Sequence, residues 1–222
     1  MRVFLNPGHA LGGNPDPGCV NSRYHLRECD LAITYGSLCG KYLEAAGLEV
    51  KLLQSHNLYG EAPGYPCVVD AANDWPADLF LSIHVNAGGG RGAETYCYNF
   101  GGNGEKLAHC IQRQLVGSLA PIDGGYADRG VKAHPSFCVL RNTTMPAVLV
   151  ETGFIDSDDI TLLTQHGDEI ARALARGVTD YGQQQKRKPL RPETAAGAIF
   201  PTKKAVVVQA TAPVHLESRK LH

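Results

Sequence analysis

Three short apolar runs constrain this chain more than any other feature, because each one runs straight into a residue that can do chemistry. Residues 3–5 (Val-Phe-Leu) lead into Asn6-Pro7-Gly8-His9, residues 79–83 lead into His84, and residues 147–150 lead into Glu151. Short, continuous apolar runs bounded by turn residues are the signature of strands buried on both faces, as in parallel sheets. Between them lie segments of helical spacing. Residues 30–46 carry Leu31, Ile33, Tyr35, Leu38, Tyr42, Leu43 and Ala46, several of them three or four apart, and Gly47 follows as a natural C-cap. Residues 105–119 and 158–181 repeat the helical pattern. Asp156-Ser157-Asp158-Asp159 suits the capping and dipole of the last helix. Residues 48–53, 93–98 and 137–140 read as further strands. Residues 68–74 read as a short helix stopped at Trp75-Pro76, and 10–25 and 121–135 as loops. Strands alternating with helices predict an α/β fold with a mostly parallel sheet.

At Gln183 the pattern ends. Gln183-Gln184-Gln185-Lys186-Arg187-Lys188-Pro189 reads as a linker, and the stretch after it is too short for a second core without a staple. The chain is therefore expected to divide into a catalytic domain, 1–182, and a linker and tail, 183–222, that either docks on a partner or another copy or stays disordered. A formal net charge of -1 over 222 residues gives no basic excess for nucleic acid. No apolar run approaches the roughly 18 residues of a membrane span. The opening Met1-Arg2-Val3-Phe4-Leu5 is broken by Asn6-Pro7-Gly8, so it does not read as a secretory signal. On this reading the chain is made without such a signal, or the signal has been removed. The seven cysteines contain no CxxC pair, which argues against a thiolate zinc site and for small buried residues.

The carboxyl ends of parallel strands are where open α/β sheets bind ligands. His9, His84 and Glu151 are expected at three such ends, and the glycine-rich loop 10–25 can fold Glu28, at the start of the first helix, back to the same rim. Two His and a Glu form a known ligand set for catalytic zinc, with a further carboxylate to manage protons. Each residue also has an ordinary structural reading. A strand-end His is commonly a satisfied structural group, and a Glu closing a buried strand can belong to an ion pair.

The ordered motifs resolve that choice by resemblance. Asn6-Pro7-Gly8-His9, Asp16-Pro17-Gly18, the helix opening Glu28-Cys29-Asp30-Leu31, Ser82-Ile83-His84-Val85-Asn86-Ala87, Gly92-Ala93-Glu94-Thr95-Tyr96, Arg129-Gly130-Val131-Lys132 and the segment 146–154 follow one another in a pattern. That pattern resembles the zinc-dependent N-acetylmuramoyl-L-alanine amidases of the type-3 group, over residues 2 to about 181. The resemblance implies a single α/β domain, phosphorylase/hydrolase-like, with a twisted, mostly parallel sheet of about six strands flanked by helices. It implies one Zn2+ per chain on His9, Glu28 and His84, with Glu151 as the catalytic carboxylate. It also implies hydrolysis of the amide between N-acetylmuramic acid and L-alanine in peptidoglycan. Asn86, Arg129, Lys132 and His134 are candidates for contact with substrate, Arg129 and Lys132 through its carboxylates, and His25 for support of the metal site. The chain departs from the family pattern where Gln54-Ser55 replaces Thr-Arg and in a longer loop after His9.

Two other functions fit the same residues: a peptidoglycan-binding module without turnover, and a metallopeptidase cutting within the stem peptide. The biological setting expected is cell wall degradation, as a lysin or as an antibacterial effector whose tail meets an immunity or delivery partner.

Overall fold

The computed structural model describes residues 1–186. Six strands form one sheet: β1 (Arg2–Pro7), β4 (Glu49–Leu52), β5 (Leu79–Asn86), β6 (Ala93–Cys97), β7 (Asp128–Ala133) and β8 (Ala147–Phe154). Their order is β4-β1-β5-β8-β6-β7, and every pair is parallel except β6 against β8. A two-residue hairpin, β2 (Val20–Asn21) with β3 (Leu26–Arg27), interrupts the loop after His9. The helices are α1 (Glu28–Ala45), α2 (Val68–Asp74), α3 (Asn103–Leu119), α4 (Cys138–Asn142), α5 (Ile160–Gln165) and α6 (Gly167–Lys186). The α/β class, the six strands and the mostly parallel order agree with the sequence reading.

Side chains alternate across a strand, so each apolar run feeds two cores. Val3, Leu5, Leu79, Leu81, Ile83, Val148 and Val150 face a core shared with α1, α3 and α6. Phe4, Phe80, Ala147 and Leu149 face a second, smaller core with Val68, Val69 and Ala72 of α2 and Val139 and Leu140 of α4. Gly177 shows how closely α6 meets α3: a Cβ there would lie 2.7 Å from the Ile111 backbone.

Several expectations differ. Residues 137–140 are not a strand: Cys138–Asn142 is a one-turn helix, because a four-residue apolar run fits either element. Residues 128–133, expected as loop, form the edge strand β7; its polar, Gly130-interrupted sequence suits an edge. The last helix is two helices broken at His166-Gly167. The acids before it do not cap it. Asp156 accepts the N–H groups of Gly88 and Gly89, and buried Asp159 accepts those of Gly92 and Phe154 and pairs with Arg91. They pin the β5–β6 loop instead.

Helix α6 continues to Lys186, so Gln183 to Lys186 form its last turn rather than a linker. The rest of the expected tail lies outside the described residues. All seven cysteines are free thiols, four of them buried.

Candidate metal centre and active site

The strand alternation that places Phe4 and Phe80 in the smaller core carries on to Asn6, Ser82 and His84, and from Leu149 to Glu151. Beyond the reach of α2 and α4 this face is uncovered, and a cavity of about 250 Å³ opens there. Asn6, Ser82, His84 and Glu151 line it together with His9, Asp16, His56, Leu58, Phe137, Val139 and Leu149. His84 and Glu151 are register partners on neighbouring parallel strands. Both lie within their strands rather than at the ends, two and three residues short of them.

Glu28 opens α1 and is almost fully buried (3% exposed). Its Oε2 accepts the Cys19 N–H at 2.9 Å and lies 3.0 Å from His9 Nε2. Its Oε1 accepts the Val85 N–H at 3.0 Å and lies 2.9 Å from His84 Nδ1. One ligand atom from each of His9, Glu28 and His84 falls within 4.8 Å of the others, the spacing of a single ion's coordination shell. The far nitrogens of both imidazoles are also held. His9 Nδ1 meets Asp16 at 2.9 Å, and His84 Nε2 meets the Ser82 hydroxyl at 3.2 Å, which in turn donates to Asn6 Oδ1. Partners of this kind fix ring orientation and tautomer at metal sites.

Two glycines make the approach possible. A Cβ on Gly8 would lie 2.3 Å from the His84 ring. One on Gly18 (φ +68) would lie 2.5 Å from the His9 ring and 2.6 Å from Glu28 Oε2. His9 itself has φ 68, an uncommon backbone for a residue with a Cβ. The loop is tied down by Ala10 N–H to Asp16 O, Glu28 N–H to Cys19 O and Cys29 N–H to Pro17 O. The buried Gln54 donates through Nε2 to Gly8 O and Cys29 O, both at 2.9 Å. The departure from the family's Thr-Arg is thus a clamp between the loop carrying His9 and the helix carrying Glu28.

The charged groups of the site compensate one another. Burial works against a charged His9, yet Glu28 and Asp16 outweigh it and raise its pKa to about 9. Burial likewise opposes ionisation of Glu28, but His84 and His9 hold it well below the usual carboxylate range. Glu151 differs: burial pushes its pKa up to about 7, against the pull of His84 and with the help of Glu28 and Glu94. Its Oε2 is sealed from solvent and has no hydrogen-bond partner among the described residues. Two imidazoles and a carboxylate converging on one point, beside a buried carboxylate oxygen left unpaired, are the donor set a divalent cation fits.

The other expected residues lie along the same face. Asn86 donates through Nδ2 to Glu94 at 2.8 Å, and its Oδ1 accepts the Ala87 N–H. Arg129 Nε donates to Glu94 at 2.9 Å, and the Lys132 ammonium bonds the same oxygen. His134 stacks on Phe137 with ring centroids 3.7 Å apart. His25 is exposed on the β2–β3 turn, away from the trio's hydrogen bonds. His56 also lines the cavity and packs edge-on to Tyr65 at 4.1 Å. Sequence reasoning assigned no role to Asp16, Ser82 or Glu94, although all three stand inside the quoted motifs.

The sequence profile of the N-acetylmuramoyl-L-alanine amidase family matches residues 3–180. The chain belongs to this family. It is 34% identical over 180 residues to the sporulation-specific N-acetylmuramoyl-L-alanine amidase of Bacillus subtilis (strain 168), covering 80% of this chain and 65% of that protein. It is 31% identical over 196 residues to the endolysin of Bacillus phage SPP1, covering 83% and 67%. The crystal structure of N-acetylmuramoyl-L-alanine amidase from Clostridium difficile 630 superposes with a TM-score of 0.70 at 27% identity, covering 83% of this chain and 97% of that one. The chain spans about two thirds of the length of these two curated relatives.

Proposed function

We propose that this family member hydrolyses the amide joining the lactyl group of N-acetylmuramic acid to L-alanine in peptidoglycan, as a zinc enzyme. The reading is carried by one observation: His9, Glu28 and His84 converge beside a Glu151 oxygen that has no partner. When bound, zinc supplies Lewis acidity toward a carbonyl oxygen and lowers the pKa of water toward about 7. His9, Glu28 and His84 would hold it. Asp16 would keep the proton of His9 on Nδ1 and leave Nε2 free as a ligand, and Ser82 would accept the Nε2 proton of His84 in the same way.

Glu151 takes a proton from the attacking water and returns one to the leaving amine. Burial raises its pKa to about 7, and a cation bound beside it would favour the ionised form, the state a general base needs. Asn86, Arg129, Lys132 and His134 form the rim against which glycan and peptide lie. The catalytic unit is proposed to end with α6, and the likeness to a phage endolysin supports wall lysis as one biological setting.

The test is mass spectrometry of purified peptidoglycan after digestion, with and without a chelator. The expected products are peptides with free N-terminal alanine and muramic acid carboxylates, formed at about one zinc per chain. Glu151→Ala is expected to retain zinc and lose turnover. Cleavage within the stem would assign a peptidase instead, and binding without release would assign a wall-binding module.

A further inference from the structure

Glu94 and Glu151 are register partners across the antiparallel β6–β8 pair, and Tyr96 and Lys132 are partners across β6–β7. One face of the sheet therefore carries a continuous row: His84 on β5, Glu151 on β8, Glu94 on β6, and Arg129 with Lys132 on β7. The two sides of Glu151 differ in chemistry. Toward β1 and β5 lies the cavity, lined on that side by Asn6 of β1, Ser82 of β5 and Leu58. Toward β7 lie two cations that share one buried carboxylate.

That sharing leaves charge over. Glu94 is 3% exposed and receives Asn86, Tyr96, Arg129 and Lys132. Within the cluster one negative charge faces two positive ones, and Glu151, the register partner of Glu94, is the neighbouring carboxyl. Both cations reach solvent, at 35% and 40% exposure. Both are also fixed. Arg129 lies over the Phe154 ring at 4.7 Å and Lys132 beside the Tyr96 ring at 5.8 Å. Among the described residues only Nε of Arg129 is hydrogen-bonded, which leaves its two terminal nitrogens free to form a fork with a carboxylate.

We propose that Arg129 and Lys132, locked in place by Glu94, form a subsite for a free carboxylate on the leaving peptide, so that substrate lies across the sheet with its peptide toward β7 and its glycan toward the cavity. This rests on the amidase reading and adds a direction to it. In the substrate class proposed, the muramoyl carboxyl is spent in the scissile amide, so the remaining anions belong to the peptide. Strand spacing gives the reach. β7 is two strands from β8, roughly 10 Å, and an extended peptide advances about 3.3–3.6 Å per residue. The carboxylate recognised is therefore on the second or third residue after the cut.

The test is binding of two synthetic peptides to the full chain, followed by NMR chemical-shift titration at low ionic strength. Both begin with L-alanine and differ only in that the carboxylates of residues two and three are free in one and amidated in the other. The free form is expected to bind about tenfold more tightly, with shifts centred on residues 128–133. The double substitution Arg129→Gln, Lys132→Gln is expected to bring the affinity ratio close to one. Equal affinities for the unaltered chain, a ratio that survives the double substitution, or shifts centred on 54–58 would overturn the proposal. The unaltered chain alone decides the first point should the double variant misfold. No turnover is needed, so a chain that releases no peptide from peptidoglycan refutes the amidase reading separately.

Discussion

Replacing Glu151 by glutamine should abolish hydrolysis and, at the same time, stabilise the ion-free fold. The carboxyl is held at about 7 instead of its ordinary 4.5, chiefly by burial, with one oxygen unpaired. A folded state that binds a proton more tightly than the unfolded chain loses stability as pH rises through the window between those two values. At about 1.4 kcal/mol per pH unit, the ionised side chain costs the fold about 1 kcal/mol at pH 5 and about 3 kcal/mol at pH 8. Glutamine keeps the shape without the charge, so Glu151→Gln should exceed the parent by only about 1 kcal/mol at pH 5. At pH 8 it should exceed the parent by up to about 3 kcal/mol, roughly 6–12 °C in melting temperature for a domain of this size. The assay is urea unfolding of both proteins with a chelator present, at the two pH values. A variant whose advantage is the same at pH 5 and pH 8, or which is the less stable protein at pH 8, would refute the reasoning. Adding zinc should shrink the difference, because a nearby cation favours the ionised carboxylate.

Three further outcomes follow from the same geometry. Gly18→Ala sets a methyl group against both His9 and Glu28 and forces an alanine to φ +68, so zinc content by mass spectrometry should fall from about one per chain to near zero. Asp16→Asn weakens the hold on His9 Nδ1 and should cost roughly 10–100-fold in zinc affinity, read by competition with a coloured chelator. Gln54→Leu strands the carbonyls of Gly8 and Cys29 in a buried place. It should destabilise the fold by about 2 kcal/mol in urea and lower zinc affinity with it.

The legible parts of this molecule are those where local pattern and tertiary outcome agree. The apolar runs ending at Leu5, Ile83 and Val150 became central strands because they must be buried on both faces. The short helix at 68–74 was readable to the residue, because Trp75-Pro76 stops it. Strand β7 was not readable: Asp128 to Ala133 is charged and broken by Gly130, and only its place beside β6 makes it a strand. Residues 138–142 failed for the opposite reason, since a short apolar run does not distinguish one helical turn from a strand. At the site, His9, Glu28, His84 and Glu151 were named through their motifs, and the structure brings them together. Asp16, Ser82 and Glu94 were not assigned, because each acts by holding another side chain across 7, 2 and 35 residues respectively, and a polar residue in a motif carries no mark of its partner.

Why the site opens where it does follows from how unevenly the sheet is covered. Helices α1, α3 and α6, each of 17 or more residues, bury one face along the full length of the strands. The other face has only α2 and α4, of seven and five residues, which reach Phe4, Phe80 and Leu149 and stop. One further step of two along each strand brings Asn6, Ser82 and Glu151, and the next on β5 brings His84. These positions would be apolar if a longer helix lay over them. A polar residue on that face upstream would meet Val69 or Val139 and be left without a partner, whereas downstream it meets the loop that Gln54 clamps in place. The chemistry is therefore set by where the two short helices end, and lengthening either one toward the carboxyl ends of the strands would close the cleft without touching a ligand.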